Sequence, residues 1–185
     1  VDDSMRLAPL PLVRWRAAHH DVALDLAEFE VRVVILEAAM VYGEHRGILG
    51  RMIAEGREKK TVTLPGTGDQ VWSLVHREDV ADAFALAMEH AKHGDRFLLA
   101  DESVLTARQI AEAIARVTGA TVKPWPRAEV LEKLGPYGEA LLASVRVTSA
   151  RARRELGWVP RHTSFVNEMD DLYREWQKGL GTPVA

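Results

Sequence analysis

No cysteine occurs in the 185 residues. That excludes disulfides, thiolate zinc sites and cysteine nucleophiles, and it fits a reducing compartment, the cytoplasm. Long hydrophobic runs are also missing. The apolar stretch Val33 to Leu36 is stopped by Glu37, and nothing approaches the length needed to cross a bilayer. Charge of one sign is missing too. The 24 basic side chains face 27 acidic ones, for a net charge of −3, so there is no electrostatic case for nucleic acid or an anionic membrane. The start, Val1-Asp-Asp-Ser4, has neither an initiator Met nor a signal-peptide pattern, which reads as truncation or processing. The one candidate for a phosphate-binding glycine turn is Gly66-Thr-Gly68. This leads into a strand instead of a helix, so it reads as a turn between strands and not as a phosphate cradle.

What remains is ample for a core: 47% of the residues are hydrophobic. Their length is that of one domain or a piece of a larger one. Pro9 and Pro11 keep residues 1–13 loop-like. Arg16 to Phe29 has helical apolar spacing. Val31 to Leu36 and Phe97 to Ala100 are short, apolar strands of the kind buried on both faces, and they are expected to lie adjacent and parallel. Helices are expected over Ile48–Glu58 and Asp79–Ala91, and strands over Thr61–Leu64 and Val71–Val75. Thr106-Ala-Arg-Gln109 is a capping box before a helix that runs to Thr118 and stops at Gly119. A strand follows at Thr121–Trp125. Two short helices, Ala128–Leu134 and Tyr137–Ala143, are broken at Gly135-Pro136. Ser149 is placed to cap Ala150–Leu156, and a last helix covers Phe165–Lys178. Alternating strands and helices make this an α/β chain.

Several pieces occur in an order that resembles the extended short-chain dehydrogenase/reductases, the NAD-dependent epimerase/dehydratase family. They are Leu36 to Gly43, Leu64-Pro-Gly-Thr-Gly68 with Trp72 to Ala81, Arg96 to Asp101, and Arg151-Ala-Arg-Arg-Glu-Leu-Gly-Trp-Val-Pro160. The resemblance covers about residues 14–176. It implies the C-terminal portion of a Rossmann-like fold, with the N-terminal Rossmann half missing. On that reading 14–60 and 76–102 are the last elements of the Rossmann-like core, 61–75 and 103–178 a small mixed α/β substrate lobe, and 179–185 a tail.

The family resemblance also implies NAD or NADP in the intact protein. Arg16, Ala38, Ala39 and Met40 would stand at the cofactor, and Tyr42, Trp72 and His76 at the substrate, with Tyr42 the one catalytic candidate. The chain departs from the family at instructive places. The catalytic Tyr and the Lys one helical turn later have Leu12 and Arg16 in their places. A guanidinium binds ribose or phosphate but does not serve as a base at neutral pH. Glu37 stands where an arginine often follows the core strand, and Trp72 where nucleotide-sugar enzymes often hold a diphosphate with arginine. Without the pyrophosphate turn, the chain alone is not expected to bind NAD(P) tightly.

Each candidate also has a structural reading. Tyr42 with Gly43 fixes a loop, His76 bonds to that loop, and Asp79 is an N-terminal helix charge or cap. His19-His20-Asp21 and Glu89-His90-Ala-Lys-His93 invite a metal, but no matching ligand set is visible, so no metal is expected. Arg151, Arg153 and Arg154 read as a solvated helix face. Trp125, Trp158 and Trp176 read as packing in the smaller lobe. Val22, Leu26 and Phe29 make one stripe on helix 16–29, with Leu24 off it, which suggests a second partner and a homodimer through that helix. Three functional readings stay open. The chain is the substrate-binding part of an NAD(P)-dependent epimerase, dehydratase or reductase acting on a small polar, sugar-like molecule, and not competent by itself. It is a noncatalytic ligand-binding or regulatory relative. Or it is a fragment of structural consequence only.

Overall fold

The computed structural model describes residues 1–2 and 9–179. Most of the 179–185 tail, and part of the N-terminal loop, lie outside those residues. The strands are β1 (Ile35–Ala38), β2 (Met40–Tyr42), β3 (Thr61–Pro65), β4 (Val71–Trp72), β5 (Leu74–His76), β6 (Arg96–Leu99), β7 (Leu105–Thr106) and β8 (Thr121–Trp125). The helices are α1 (Arg14–Leu24), α2 (Gly47–Lys59), α3 (Arg77–His90), α4 (Ala107–Thr118), α5 (Arg127–Leu134), α6 (Pro136–Leu142), α7 (Ala150–Leu156) and α8 (Met169–Gly179).

Three ladders are parallel, β1 with β6, β2 with β5 and β3 with β8, while β4 and β7 pair antiparallel. The expected neighbours are parallel partners, with Leu36 opposite Phe97. The strand begins later than its apolar run, however. Arg32 reaches the carbonyls of Ala91 and Met88 at the end of α3, and Val33 receives the Gly94 amide. Residues 31–34 therefore serve the α3 terminus instead of a strand. Residues 33–37 are half-buried, not enclosed on both faces, because among the described residues β1 is paired on one side only.

At Ala39 the chain changes partners. The Ala39 amide donates to Leu99 of β6, and the next, Met40, donates to Ser73 beside β5. This step divides two apolar cores. One gathers Val75, Ala83, Ala87, Phe97, Leu99, Leu156 and Trp158 around β6, α3 and α7. The other gathers Leu49, Ile53, Leu64, Ile110, Ile114, Phe165 and Trp176 around α2, β3, α4 and α8.

Local signals set several boundaries. The Thr106 hydroxyl accepts from the Gln109 amide while the Gln109 side chain accepts from the Thr106 amide, and Gly119 ends α4 in the left-handed region at φ 64°. Other expectations are corrected. The helix over 16–29 is α-helical only to Leu24 and tightens to a 3-10 turn over Asp25–Phe29. Val71–Val75 is divided into β4 and β5 at Ser73, and the last helix begins at Met169. Ser149 precedes α7 but does not cap it, since its hydroxyl bridges the backbone of Ala100 instead. Arg151 is not a free surface cation: it binds Asp95 and Glu155 and the Arg96 carbonyl. Trp158 lies in the β6–α3–α7 core and not in the smaller lobe.

Candidate functional site

Two concavities lie on either side of the Ala39 step. The first is a groove of about 520 Å³ between α1, β1 and α3. Arg16, Ala38 and Ala39 all line it, together with His20, Glu37 and Phe84. Arg16 brings the one guanidinium, and the small side chains of Ala38 and Ala39 leave the strand end open to close approach. His20 Nδ1 stands 3.9 Å from Glu37, which also pairs with Arg96, so α1 lies close against β1 here. Met40 is not part of this groove and packs against the lobe core.

The second is a cleft of about 420 Å³ in the lobe, lined by residues of α2, β3, β4, β8, α5 and α6. Trp72 belongs to it, is 4% exposed, and donates its indole N–H to the Leu141 carbonyl at 3.2 Å.

Tyr42 and His76 open into neither of these two. Tyr42 is 2% exposed, with its ring edge-on to His76 and Phe165 at 5.1 and 5.2 Å. Burial first, then the carboxylates of Asp101, Glu168 and Asp79, push its phenol pKa far up. That is the opposite of what an acid–base group needs near neutrality. His76 is 1% exposed and is the N-cap of α3, its Nδ1 accepting the Glu78 amide at 3.3 Å. Gly43 has φ +118°, and a Cβ there would come within 2.8 Å of His76 Nε2, so the Tyr42-Gly43 loop and His76 are fitted to each other.

The sequence did not reveal the polar network around this pair. Asp79, fully buried, accepts the backbone amides of Arg161 and His162 at 2.8 and 3.1 Å. It stands in the first turn of α3, as an N-terminal helix charge, and its carboxylate clamps a distant loop while His76 serves as the cap. His162 lies on His76, ring centroids 3.7 Å apart and 33° between planes, and its Nδ1 meets Glu168 at 2.7 Å. Burial disfavours charge on His162, but the Glu168 hydrogen bond and the carboxylates of Glu168, Asp79 and Glu78 outweigh it and raise its pKa. Burial, then His162, lowers that of His76.

His76, Glu78 and His162 bring ligand-type atoms within 4.8 Å of one another, a grouping that spacing along the chain does not reveal. It is poorly made for a metal. His76 Nδ1 is taken by an amide, near-parallel rings do not converge their lone pairs on one point, and Arg77 and Arg161 approach Glu78 at 3.8 and 4.0 Å. The histidine pairs noted in the sequence are dispersed: His19 bonds the Trp15 carbonyl, His20 faces Glu37, His90 faces Glu89, and His93 receives the Val33 amide.

Asp101 completes the network at 4% exposure, with one oxygen bonded to Ser103 and the other, Oδ2, without a partner among the described residues. Burial raises its pKa above the usual 3.8, against the lowering effect of the Ser103 hydrogen bonds. Between that ordinary value and the raised one, the folded state keeps a proton that the unfolded state releases. Stability therefore falls as pH rises through that window, and the penalty is complete above it. Asp101→Asn is expected to be more stable than the parent at pH 7 by about 1 kcal/mol, because a neutral amide is cheaper to bury unpaired than a carboxylate. Urea midpoints should converge at pH 3.5. A variant less stable at pH 7 would contradict this account.

The family model for the NAD dependent epimerase/dehydratase family matches residues 16–100. This stretch of the chain belongs to that family. Among curated relatives, the UDP-glucose 4-epimerase of Corynebacterium glutamicum is 30% identical over 128 residues, covering 65% of this chain and 36% of the relative. An uncharacterized protein of Schizosaccharomyces pombe is 26% identical over 132 residues, covering 71% of this chain and 44% of its own length. Similar folds include a dTDP-glucose 4,6-dehydratase of Streptomyces venezuelae solved with NAD and TYD bound, at TM-score 0.80 and 21% identity over 97% of this chain and 55% of that one. A UDP-glucuronic acid 4-epimerase of Bacillus cereus in complex with NAD gives TM-score 0.75 and 18% identity over 96% of this chain and 56% of that one. The fold is thus the Rossmann-like extended short-chain dehydrogenase/reductase fold in part. The chain spans less than half the length of these curated relatives and a little over half of these solved structures. Among the described residues no helix is long and apolar enough to cross a membrane.

Proposed function

We propose that this chain is the substrate-binding part of an NAD(P)-dependent epimerase, dehydratase or reductase of the cytoplasm, not catalytically competent by itself. The observation that carries the reading is the pairing of the two concavities across Ala39: a groove with Arg16, Ala38 and Ala39 on the β1 side, and a cleft with Trp72 in the lobe. NAD(P), when bound, supplies hydride acceptance and donation. Arg16 would hold a ribose or phosphate oxygen, and Ala38 and Ala39 would admit the ring. The substrate is a small molecule held by the lobe.

A second reading, a noncatalytic ligand-binding relative, is supported by one feature. Leu12 and Arg16 stand at the Tyr and Lys positions, and neither side chain exchanges a proton near neutrality. A homodimer through the helix of residues 16–29 is supported by the exposure of Val22, Leu26 and Phe29, whereas Leu24 is half-buried and turns inward.

Titrating NAD⁺ and NADP⁺ into the isotope-labelled chain tests the cofactor side. Amide signals of Arg16, Ala38 and Ala39 are expected to move at millimolar nucleotide, without saturation in the low micromolar range. Shifts confined to other residues, or tight saturable binding, would overturn the assignment. Turnover by a longer protein containing this chain separates the two readings.

A further inference from the structure

The lobe cleft has a chemistry of its own. Most of its lining is carbon: Met52 and Pro65 are buried, and Trp72, Trp125, Leu134 and Leu141 surround them. Its polar groups are Arg51, Glu55, Thr63 and Tyr137, and they are largely spent on each other. Glu55 accepts the Thr63 hydroxyl on one oxygen at 2.8 Å and the Thr63 amide on the other at 3.2 Å. Arg51 donates to the Tyr137 hydroxyl at 2.8 Å. The Trp72 indole N–H is used by Leu141.

A sugar would bring several hydroxyls into this lining and find few free partners, and each buried unmatched hydroxyl is unfavourable by roughly 1–3 kcal/mol. A nucleoside diphosphate fits worse. Its charge would meet one lining cation, Arg51, with the Glu55 carboxylate one helical turn away on the same face of α2. Two further cations border the cleft without lining it: Lys123, opposite Thr63 in the β3–β8 ladder, and Lys133, which stands 5.8 Å from the Trp125 ring centre and is paired with Glu129 at 3.9 Å.

What remains available is carbon surface from two tryptophans and the unspent N–H groups of one half-committed guanidinium, which bind a single carboxylate well. The volume, about 420 Å³, is within the ordinary range for small-ligand sites.

We infer that this cleft binds a planar, mainly apolar ring carrying one carboxylate, anchored by Arg51 against Trp72 and Trp125, and that it does not take a nucleotide sugar. The inference rests on reading the lobe as the substrate side, and it names the substrate class. The residues named here are carried by this chain, which is the test object.

Calorimetry and indole N–H spectra would be recorded with 4-hydroxycinnamate, indole-3-acetate and UDP as probes. At least one of the two aromatic carboxylates is expected to bind in the micromolar range, moving the Trp125 indole signal, with UDP at least tenfold weaker. Arg51→Gln is expected to weaken that binding at least tenfold, and Trp125→Leu likewise, with thermal melting confirming that each variant is folded. Arg51 is exposed, so its replacement does not threaten the fold. UDP binding as tightly as the carboxylates, no binding of either carboxylate below millimolar, or an unchanged affinity in folded Arg51→Gln would each overturn the inference. Failure here appears in the cleft signals. Failure of the broader reading appears separately, in the groove signals of Arg16, Ala38 and Ala39.

Discussion

Trp158→Ala is expected to destabilise the protein by about 3–5 kcal/mol, the range for truncating a large buried aromatic. Trp158 is fully buried among Val75, Ala83, Phe97 and Leu156, where it joins α3, β6 and α7. Its indole N–H also donates to the Asp79 carbonyl at 2.8 Å. Truncation therefore removes packing and one buried hydrogen bond. Against a typical total of roughly 5–15 kcal/mol, the melting temperature should fall by roughly 6–20 °C. Trp158→Phe keeps most of the packing and should recover more than half of the loss. Urea unfolding of both variants checks this, and a loss under 1 kcal/mol in Trp158→Ala would remove Trp158 from the core described above.

The second large effect belongs to Asp79. Its carboxylate accepts the Arg161 and His162 amides from inside the protein, and α8 begins shortly beyond that loop. Asp79→Ala leaves both amides without a partner, each unfavourable by roughly 1–3 kcal/mol. A total loss of about 2–5 kcal/mol is expected, with hydrogen exchange accelerated first over residues 160–168. Asp79→Asn retains one acceptor and should lose about half as much. Because Trp158 bonds to the carbonyl of the same residue, the two losses should not add in the double variant. Equal exchange rates in that loop for Asp79→Ala and the parent would show that the clamp is not Asp79.

These effects separate what the sequence made legible from what it hid. The Thr106–Gln109 box, the Gly119 stop and the pairing of the Leu36 and Phe97 segments were readable, because each depends on chain-local chemistry: a capping side chain, a residue tolerating positive φ, an apolar run of strand length. The groove residues Arg16, Ala38 and Ala39 were reached through family resemblance, and the fold brings them to one place. Met40 was separated from them by the change of partner at Ala39, which rests on single amides finding Leu99 and Ser73. No property of Ala39 itself announces that change.

The interior of the site was decided by tertiary contact. Tyr42 and His76 read either as substrate contacts or as residues fixing their loop, and the fold encloses both against Phe165 and His162, which lie far along the chain. Asp79 read as a helix charge or cap, and it does stand in the first turn of α3, but its hydrogen-bond partners come from the loop that Trp158 precedes. The sequence by itself determined most of the element types, the epimerase/dehydratase resemblance and the absence of a pyrophosphate turn and Tyr–Lys pair in this chain, since these are matters of residue identity and short-range spacing. Only the tertiary structure decided which polar atoms are sealed from water and what chemistry lines the cleft. Burial and pairing depend on partners that folding alone brings within bonding distance.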